Sequence, residues 1–341
     1  MHPEAQLKQL MDRFPLPGGY ALTDTYFDRM SLGDLDLWMA GLIAKTTGDG
    51  QEAVGAAVEE TEIPVARAYF ELLERICAVL AEVASTGVLP EINPQGEVVG
   101  EFDKGGVFPA SEDPDAWVYS KSSGVALHTD TSRACRSAMN ELFERDAALR
   151  AWYGRTELRP LSVDGERFHS WAYGVYTVTA CEFISAVDAP RSVGILALPL
   201  DPEQAPLGLA FAARQSLEEA LDAAEAELLQ RAAFLWGEDI PEHTPPFSPH
   251  VDYHQDYYLV PGHHPLLAEF FSRGHQHFLP AQSPSLHLGL AGLRFADLTP
   301  AELRGELRVV RAIHPSAMPL RFGRDPNGAH LPAQLQVHPI P

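Results

Sequence analysis

A mixed α and β fold is predicted by three observations. An apolar period of three to four residues recurs in three stretches, a strand-like pattern fills the region between the second and third of them, and no long linker divides the chain. Residues 1–20 open as a polar helix ending at Pro15-Leu-Pro-Gly-Gly19. The first periodic helix is predicted over 64–85, with Pro64 where a first turn tolerates it. The second is predicted over 130–153 and closed by Gly154. The third, over 217–236, is opened by the capping box Ser216-Leu-Glu-Glu219 and closed by Gly237. Strands are expected within 169–187, 192–200 and 207–215. From about residue 241 His and Pro become frequent, and the last fourteen residues, 328–341, read as an extended proline-containing tail. The domain expectation is a polar segment 1–20, a catalytic domain 21–327 and the tail 328–341.

The 341 residues, 45% of them hydrophobic, are enough for one large core or two ordinary ones. Lys and Arg total 25 against 47 Asp and Glu, a net charge of −22, so the field of the protein repels phosphate backbones and acidic bilayers. Nucleic acid and membrane are therefore not expected partners. A phosphate-bearing ligand would need local charge inversion, most simply by a divalent metal. The N-terminus lacks the apolar core of a signal peptide, and the longest apolar runs are of strand length. Cys77, Cys135 and Cys181 stand apart without metal-ligand spacing, as buried free thiols would in a reducing compartment. A cytoplasmic location is expected.

One short acidic phrase occurs three times: Glu71-Leu-Leu-Glu-Arg75, Glu141-Leu-Phe-Glu-Arg145 and Glu227-Leu-Leu-Gln-Arg231. On a helix Ser137, Glu141, Glu144 and Arg145 share one stripe, while Met139, Leu142, Phe143 and Leu149 cover the other side. A single stripe of this kind reads as a solvated face with an i,i+4 ion pair. Three copies flanked by Ala, Leu, Phe and Trp point instead to helices with little exposed face, whose carboxylates must be paired or metal-bound. Oxygen-only ligands suit Mg²⁺, whereas a di-iron bundle asks for Glu-x-x-His, and no copy has His at i+3. Magnesium suggests a nucleoside triphosphate, with the arginine ending each phrase available to phosphate oxygens. No P-loop or kinase glycine loop is present.

These motifs resemble the YcaO superfamily, whose hallmark is two S-x-x-x-E-x-x-E-R helices and a third with E-x-x-Q. The second copy here is complete from Ser137 to Arg145; Ser122-Ser-Gly-Val-Ala126 is similar to the family's S-N-G-x-A loop, and the third copy follows Ser216-Leu-Glu-Glu-Ala-Leu221. Val309–Pro315 and Pro319–Gly323 resemble the closing strand and turn, so the likeness runs from about residue 50 to the C-terminus. It implies a YcaO-like ATP-binding fold with three acidic helices packed on β-sheet. It assigns Mg²⁺ to Glu71, Glu74, Glu141, Glu144 and Glu227, and ATP contacts to Ser123, Ser137, Arg145 and Gln230. In the first copy Arg67 occupies the serine position, and Ser123 stands for the loop asparagine. Lys45 and Lys121 are candidates for the family's N-terminal nucleotide contact.

Azoline-forming members end in a P-x-P-x-P tail; this chain ends Val337-His-Pro-Ile-Pro341, one proline short. The resemblance implies that this tail orders the active site, placing His338, Pro339 and Pro341 among the catalytic residues. The implied activity is that of an ATP- and Mg²⁺-dependent cyclodehydratase subunit. It would convert Cys, Ser or Thr of a ribosomally made precursor peptide into thiazoline or oxazoline. The implied partners are a leader-peptide-binding protein and a flavin dehydrogenase, and the implied assembly is a homodimer or hetero-oligomer. Thioamide or macroamidine formation and a degenerate scaffold subunit are the alternatives. His250-x-x-x-His254, His263-His264 and His275-Gln-His277 are weaker metal candidates, and no G-x-S-x-G elbow supports a serine nucleophile.

Overall fold

The structure is a computed structural model that describes residues 2–48, 50–84, 87–162, 169–172, 174–274 and 287–340. Along the chain run α1 (Pro3–Arg13), β1 (Tyr20–Leu32), β2 (Leu35–Thr46), β3 (Glu52–Glu59), α2 (Val65–Val83), β4 (Val88–Ile92), β5 (Val98–Asp103), α3 (Lys104–Val107), β6 (Trp117–Tyr119) and β7 (Val125–His128). There follow α4 (Thr131–Trp152), β8 (Leu158–Leu161), α5 (His169–Ala172), β9 (Tyr176–Phe183), β10 (Arg191–Pro199), β11 (Gly208–Arg214) and α6 (Leu217–Leu235). The last elements are α7 (Val251–Leu259), α8 (His264–Arg273), β12 (Arg294–Asp297), β13 (Arg308–Ile313) and β14 (Arg321–Gly323). Mixed α and β is thus the fold class, and the three acidic helices are α2, α4 and α6. One expectation is corrected: the stretch 169–187 opens as helix, because a turn after Ala172 folds buried Trp171 edge-on against Tyr176, with ring centroids 5.8 Å apart. Among the described residues of that stretch, only β9 is strand.

The chain divides into two compact units. The first comprises 1–109, 121–139 and 293–314. Here a three-stranded antiparallel sheet, β1-β2-β3, and a five-stranded antiparallel one, β5-β4-β12-β13-β7, share a core with α2. The α2 side chains at three-to-four spacing, Ala68, Tyr69, Leu72, Leu73 and Ile76, are fully buried. That burial, more than helix propensity, holds α2, at about 25 cal/mol per Å² of apolar surface removed from water. Its entry is fixed by Tyr69, whose hydroxyl donates to the Phe14 carbonyl.

The second unit comprises 110–120, 140–292 and 315–341. Its four-stranded antiparallel sheet, β11-β10-β9-β8, carries α6 against β10 and β11. The capping box forms as expected, with Ser216 accepting from the Glu219 amide and the Glu219 carboxylate accepting from the Ser216 amide. A second core gathers the end of α4 with α7, α8 and the C-terminal residues. The tail is therefore not a loose extended segment. Short 3-10 turns form at 326–328 and 333–335, and Leu335, Val337, His338 and Ile340 are buried. Their irregular spacing has no helix or strand period because side chains, not a ladder, satisfy the backbone. Trp152 Nε1 donates to the Leu335 carbonyl at 2.9 Å, Tyr257 donates to Gln334 at 3.2 Å, and Tyr258 donates to Val337.

All three cysteines are buried and free. No described helix is long and apolar enough to cross a membrane. A close approach governs the first unit: a Cβ on Gly55 of β3 would lie 2.1 Å from the Ala68 carbonyl oxygen and 2.5 Å from the Leu72 amide nitrogen on α2. Backbone atoms cannot swing aside as a side-chain tip can. Gly55→Ala is therefore expected to destabilise the protein by about 1–3 kcal/mol, read as a lowered thermal midpoint; an unchanged midpoint would contradict the close packing.

Candidate functional site

Within the second unit the acidic stripe of α4 is laid down by the residues that bury its opposite side. Phe143, Ala147, Ala148 and Trp152 enter the core, and Asp146 pairs with Arg150 at 2.7 Å while accepting the Met318 amide at 2.7 Å. Arg150 also donates to the Ser316 carbonyl at 2.6 Å. This buried network fixes the rotation of the helix. Glu144 consequently lies buried, and Glu141 half-buried. Arg145 sits between them, its Nε 3.5 Å from Glu144 and an Nη 3.8 Å from Glu141.

Burial pushes the Glu144 carboxyl well above the usual carboxylate range, Arg145 opposes that rise, Glu227 and Glu141 add to it, and Arg214 opposes it. Arg145 loses hydration too, yet the charges of Glu144, Glu141 and Glu227 outweigh that loss and hold it more firmly protonated. Glu227 on α6 therefore belongs to the same electrostatic cluster. Gln230, one turn further along α6, lines a cavity of about 520 Å³ with Arg231, Phe234, Gln255 and Leu259. Burial lowers the Arg231 pKa, with Glu227 opposing and Arg145 reinforcing the shift.

The tail lies within electrostatic reach of this cluster. His338 is wholly buried, and burial together with the nearby positive charge of Arg145 brings its pKa down to about 4, against hydrogen bonding to the Arg321 carbonyl. Pro339 is buried beside it, while Pro341 lies outside the described residues. Among the described residues no histidine pair belongs to a group of metal ligands: His250 caps α7 by accepting the Asp252 amide, and His254 hydrogen-bonds Gly323 and His338. His263 stacks on Tyr257 with centroids 3.9 Å apart. His275 and His277 lie outside the described residues.

The remaining expected residues belong to the first unit. Glu71 on α2 accepts the Ala56 amide at 3.0 Å and pairs with Arg75 at 2.6 Å. Glu74 accepts the Leu127 amide at 2.7 Å. Arg67 is tied to its own sheet, through the Glu59 carboxylate and the Val58 carbonyl. Ser123 is half-buried in the loop before β7, and Ser137 is exposed on the first part of α4. Lys45 and Lys121 each hold a carboxylate at 2.9 Å, Glu52 and Glu82 respectively.

Arg214 has no place in the sequence-based expectations, and His254 enters them only as a weak metal candidate. Arg214 ends β11 with no motif to mark it. His254 carried a signal only as one half of a histidine pair.

The cluster fits a hard cation. Among the described residues no three His, Cys, Asp or Glu side chains form a ready-made metal cage. Mg²⁺ asks for no such cage, since it is commonly held by one or two carboxylates together with phosphate oxygens and water. Every expected donor is oxygen. A buried carboxylate facing two others is relieved by a divalent ion, and the buried guanidinium offers an anion a partner.

The family model described as "YcaO cyclodehydratase, ATP-ad Mg2+-binding" matches residues 106–317, more than half of the chain. No curated protein matches. Among solved structures, that of YcaO from Methanopyrus kandleri bound with AMPPCP and Mg²⁺ aligns with a TM-score of 0.59 at 17% identity, over 93% of this chain and 91% of that one. A heterocyclase in complex with substrate and cofactor aligns with a TM-score of 0.58 at 14% identity, over 98% of this chain; the chain spans 56% of that protein's length.

The His338 shift has a stability consequence. An unfolded His338 titrates near 6.5, while the folded one stays neutral down to about 4. Between those values the unfolded chain binds the extra proton, so this contribution is complete above about pH 6.5 and is lost as pH falls toward 4. It amounts to roughly 3 kcal/mol at most. Thermal midpoints measured across that window are expected to fall, and to fall less in His338→Gln; superimposable profiles for parent and variant refute this.

Proposed function

Because the chain belongs to the YcaO family, described as ATP- and Mg²⁺-binding cyclodehydratases, we propose that it is the ATP-using subunit of a peptide cyclodehydratase. Its substrates are Cys, Ser or Thr residues of a ribosomally made precursor, and its products thiazolines or oxazolines. The side chain of the reacting residue attacks the preceding amide carbonyl, and ring formation removes one water. ATP with Mg²⁺ supplies the phosphoryl group that makes the amide oxygen a leaving group. Glu141, Glu144 and Glu227 of the second unit would hold the metal, and Arg145, kept protonated by the carboxylates around it, would meet phosphate oxygens, with Gln230 as a further nucleotide contact. In the first unit, Glu71, Glu74, Ser123 and Ser137 carry the roles that the family resemblance implies for them. His338 and Pro339 belong to the tail segment that would order the active site for substrate, a role the resemblance also gives Pro341.

The observation that carries this reading is the tail folded into the core of the second unit, with His338 buried, its ring donating to the Arg321 carbonyl, and close enough to Arg145 to feel its charge. A tail that only decorated the surface would have no reason to put an imidazole there. Recognition of the precursor's leader falls to a separate partner protein, and a flavin dehydrogenase would oxidise azolines to azoles. The scaffold reading, raised by Arg67 in the place of a serine and Ser123 in the place of an asparagine, is weakened because the α4 copy is complete.

Titration calorimetry with ATP tests the site. The protein is expected to bind ATP only with Mg²⁺, and Glu141→Ala combined with Glu144→Ala is expected to weaken binding at least about tenfold, roughly 1.4 kcal/mol, with the fold intact. Unaltered affinity in the double variant would sink the assignment. With partner and precursor present, product mass should fall by one water per ring, whereas thioamide formation raises it.

A further inference from the structure

His254 joins two segments through one imidazole. Its Nε2 lies 2.7 Å from the Gly323 amide nitrogen, and its Nδ1 lies 2.8 Å from the His338 carbonyl oxygen. A backbone amide only donates and a carbonyl only accepts, so Nε2 must carry the lone pair and Nδ1 the proton. The neutral tautomer is dictated by its neighbours. Burial agrees with it, holding the His254 pKa well below the ordinary histidine value, with His338 reinforcing the shift.

The Gly323 amide is held in place in turn. Its φ is +106°, and a Cβ there would lie 2.3 Å from the Ala116 carbonyl oxygen. Two residues earlier in β14 the Arg321 carbonyl accepts from Nε2 of His338 at 2.7 Å. His338 is thus gripped at its ring directly by β14 and at its carbonyl through His254. The two imidazoles lie 4.3 Å apart between centroids, with Phe322 edge-on to His254 at 5.3 Å.

We infer that His254 is a positioning residue of the active site: by donating to the His338 carbonyl while accepting from Gly323, it fixes the C-terminal segment on β14. It acts through the tail, touching neither metal nor nucleotide. This rests on the proposed reading of the tail as part of the ATP site.

The isosteric amides separate the two bonds. His254→Asn places a donor near the Nδ1 position and keeps the grip on His338, whereas His254→Gln offers an acceptor near the Nε2 position and keeps only Gly323. His254→Phe keeps the ring and removes both. Hydrogen exchange of residues 335–340 in the nucleotide-free protein is expected to quicken at least about tenfold in the Phe and Gln variants and to stay near the parent in Asn. Mg²⁺-ATP affinity by calorimetry should follow the same order. If the Phe variant fails to fold, the Gln and Asn pair carries the comparison.

A role confined to stability predicts that Asn and Gln lose exchange protection alike, in step with their thermal midpoints; that result overturns the inference. Unchanged exchange in His254→Phe overturns it as well. His338→Ala and Pro339→Ala separate the two claims. Unchanged ATP affinity in both removes the tail from the site, and the inference falls with that reading. Weakened affinity in both, with parent-like behaviour in the folded His254→Phe, overturns the inference alone.

Discussion

Everything at the candidate site follows from putting one carboxylate, Glu144, out of reach of water beside two others. Such an arrangement is unfavourable unless something positive stands close. Arg145 is that compensation within the chain, and Arg214 adds to it from the end of a strand. A protein selected for stability alone would fill the position with an apolar side chain. Keeping the carboxylate makes chemical sense where a divalent ion and its phosphates complete the charge balance.

The helix bearing Glu144 is then obliged to be rigid, and the means lie one turn further on. Asp146 and Arg150 form a buried pair whose remaining hydrogen bonds go to the backbone at 316 and 318. The same helix offers Trp152 to the tail. Charge placement and tail placement in the second unit are thus set by neighbouring turns of a single helix.

The three acidic helices were legible because amphipathic periodicity, a capping box and the repeated phrase all report on local geometry. The strands β10 and β11 were legible for their short apolar runs. Nothing marked β1 to β3, since much of β1 is exposed on both faces and shows no clear alternation. The tail was legible in composition but not in state. Its order comes from Trp152, Tyr257, Tyr258 and His254, residues far away in sequence that bind its carbonyls one by one. Of the site, the glutamates and Arg145 could be read from their motif, whereas Arg214 and His254 act through tertiary proximity that no spacing encodes.

Gly55 carries no functional group, yet helix α2 rests on it, and the amide of the next residue, Ala56, is the one Glu71 accepts. A carboxylate's location on the helix is therefore governed by a missing methyl on the strand it faces. Mutational tolerance at position 55 should be as narrow as at the acidic residues themselves. The reason differs: Glu71 matters for the group it presents to the Ala56 amide, Gly55 for what it leaves out.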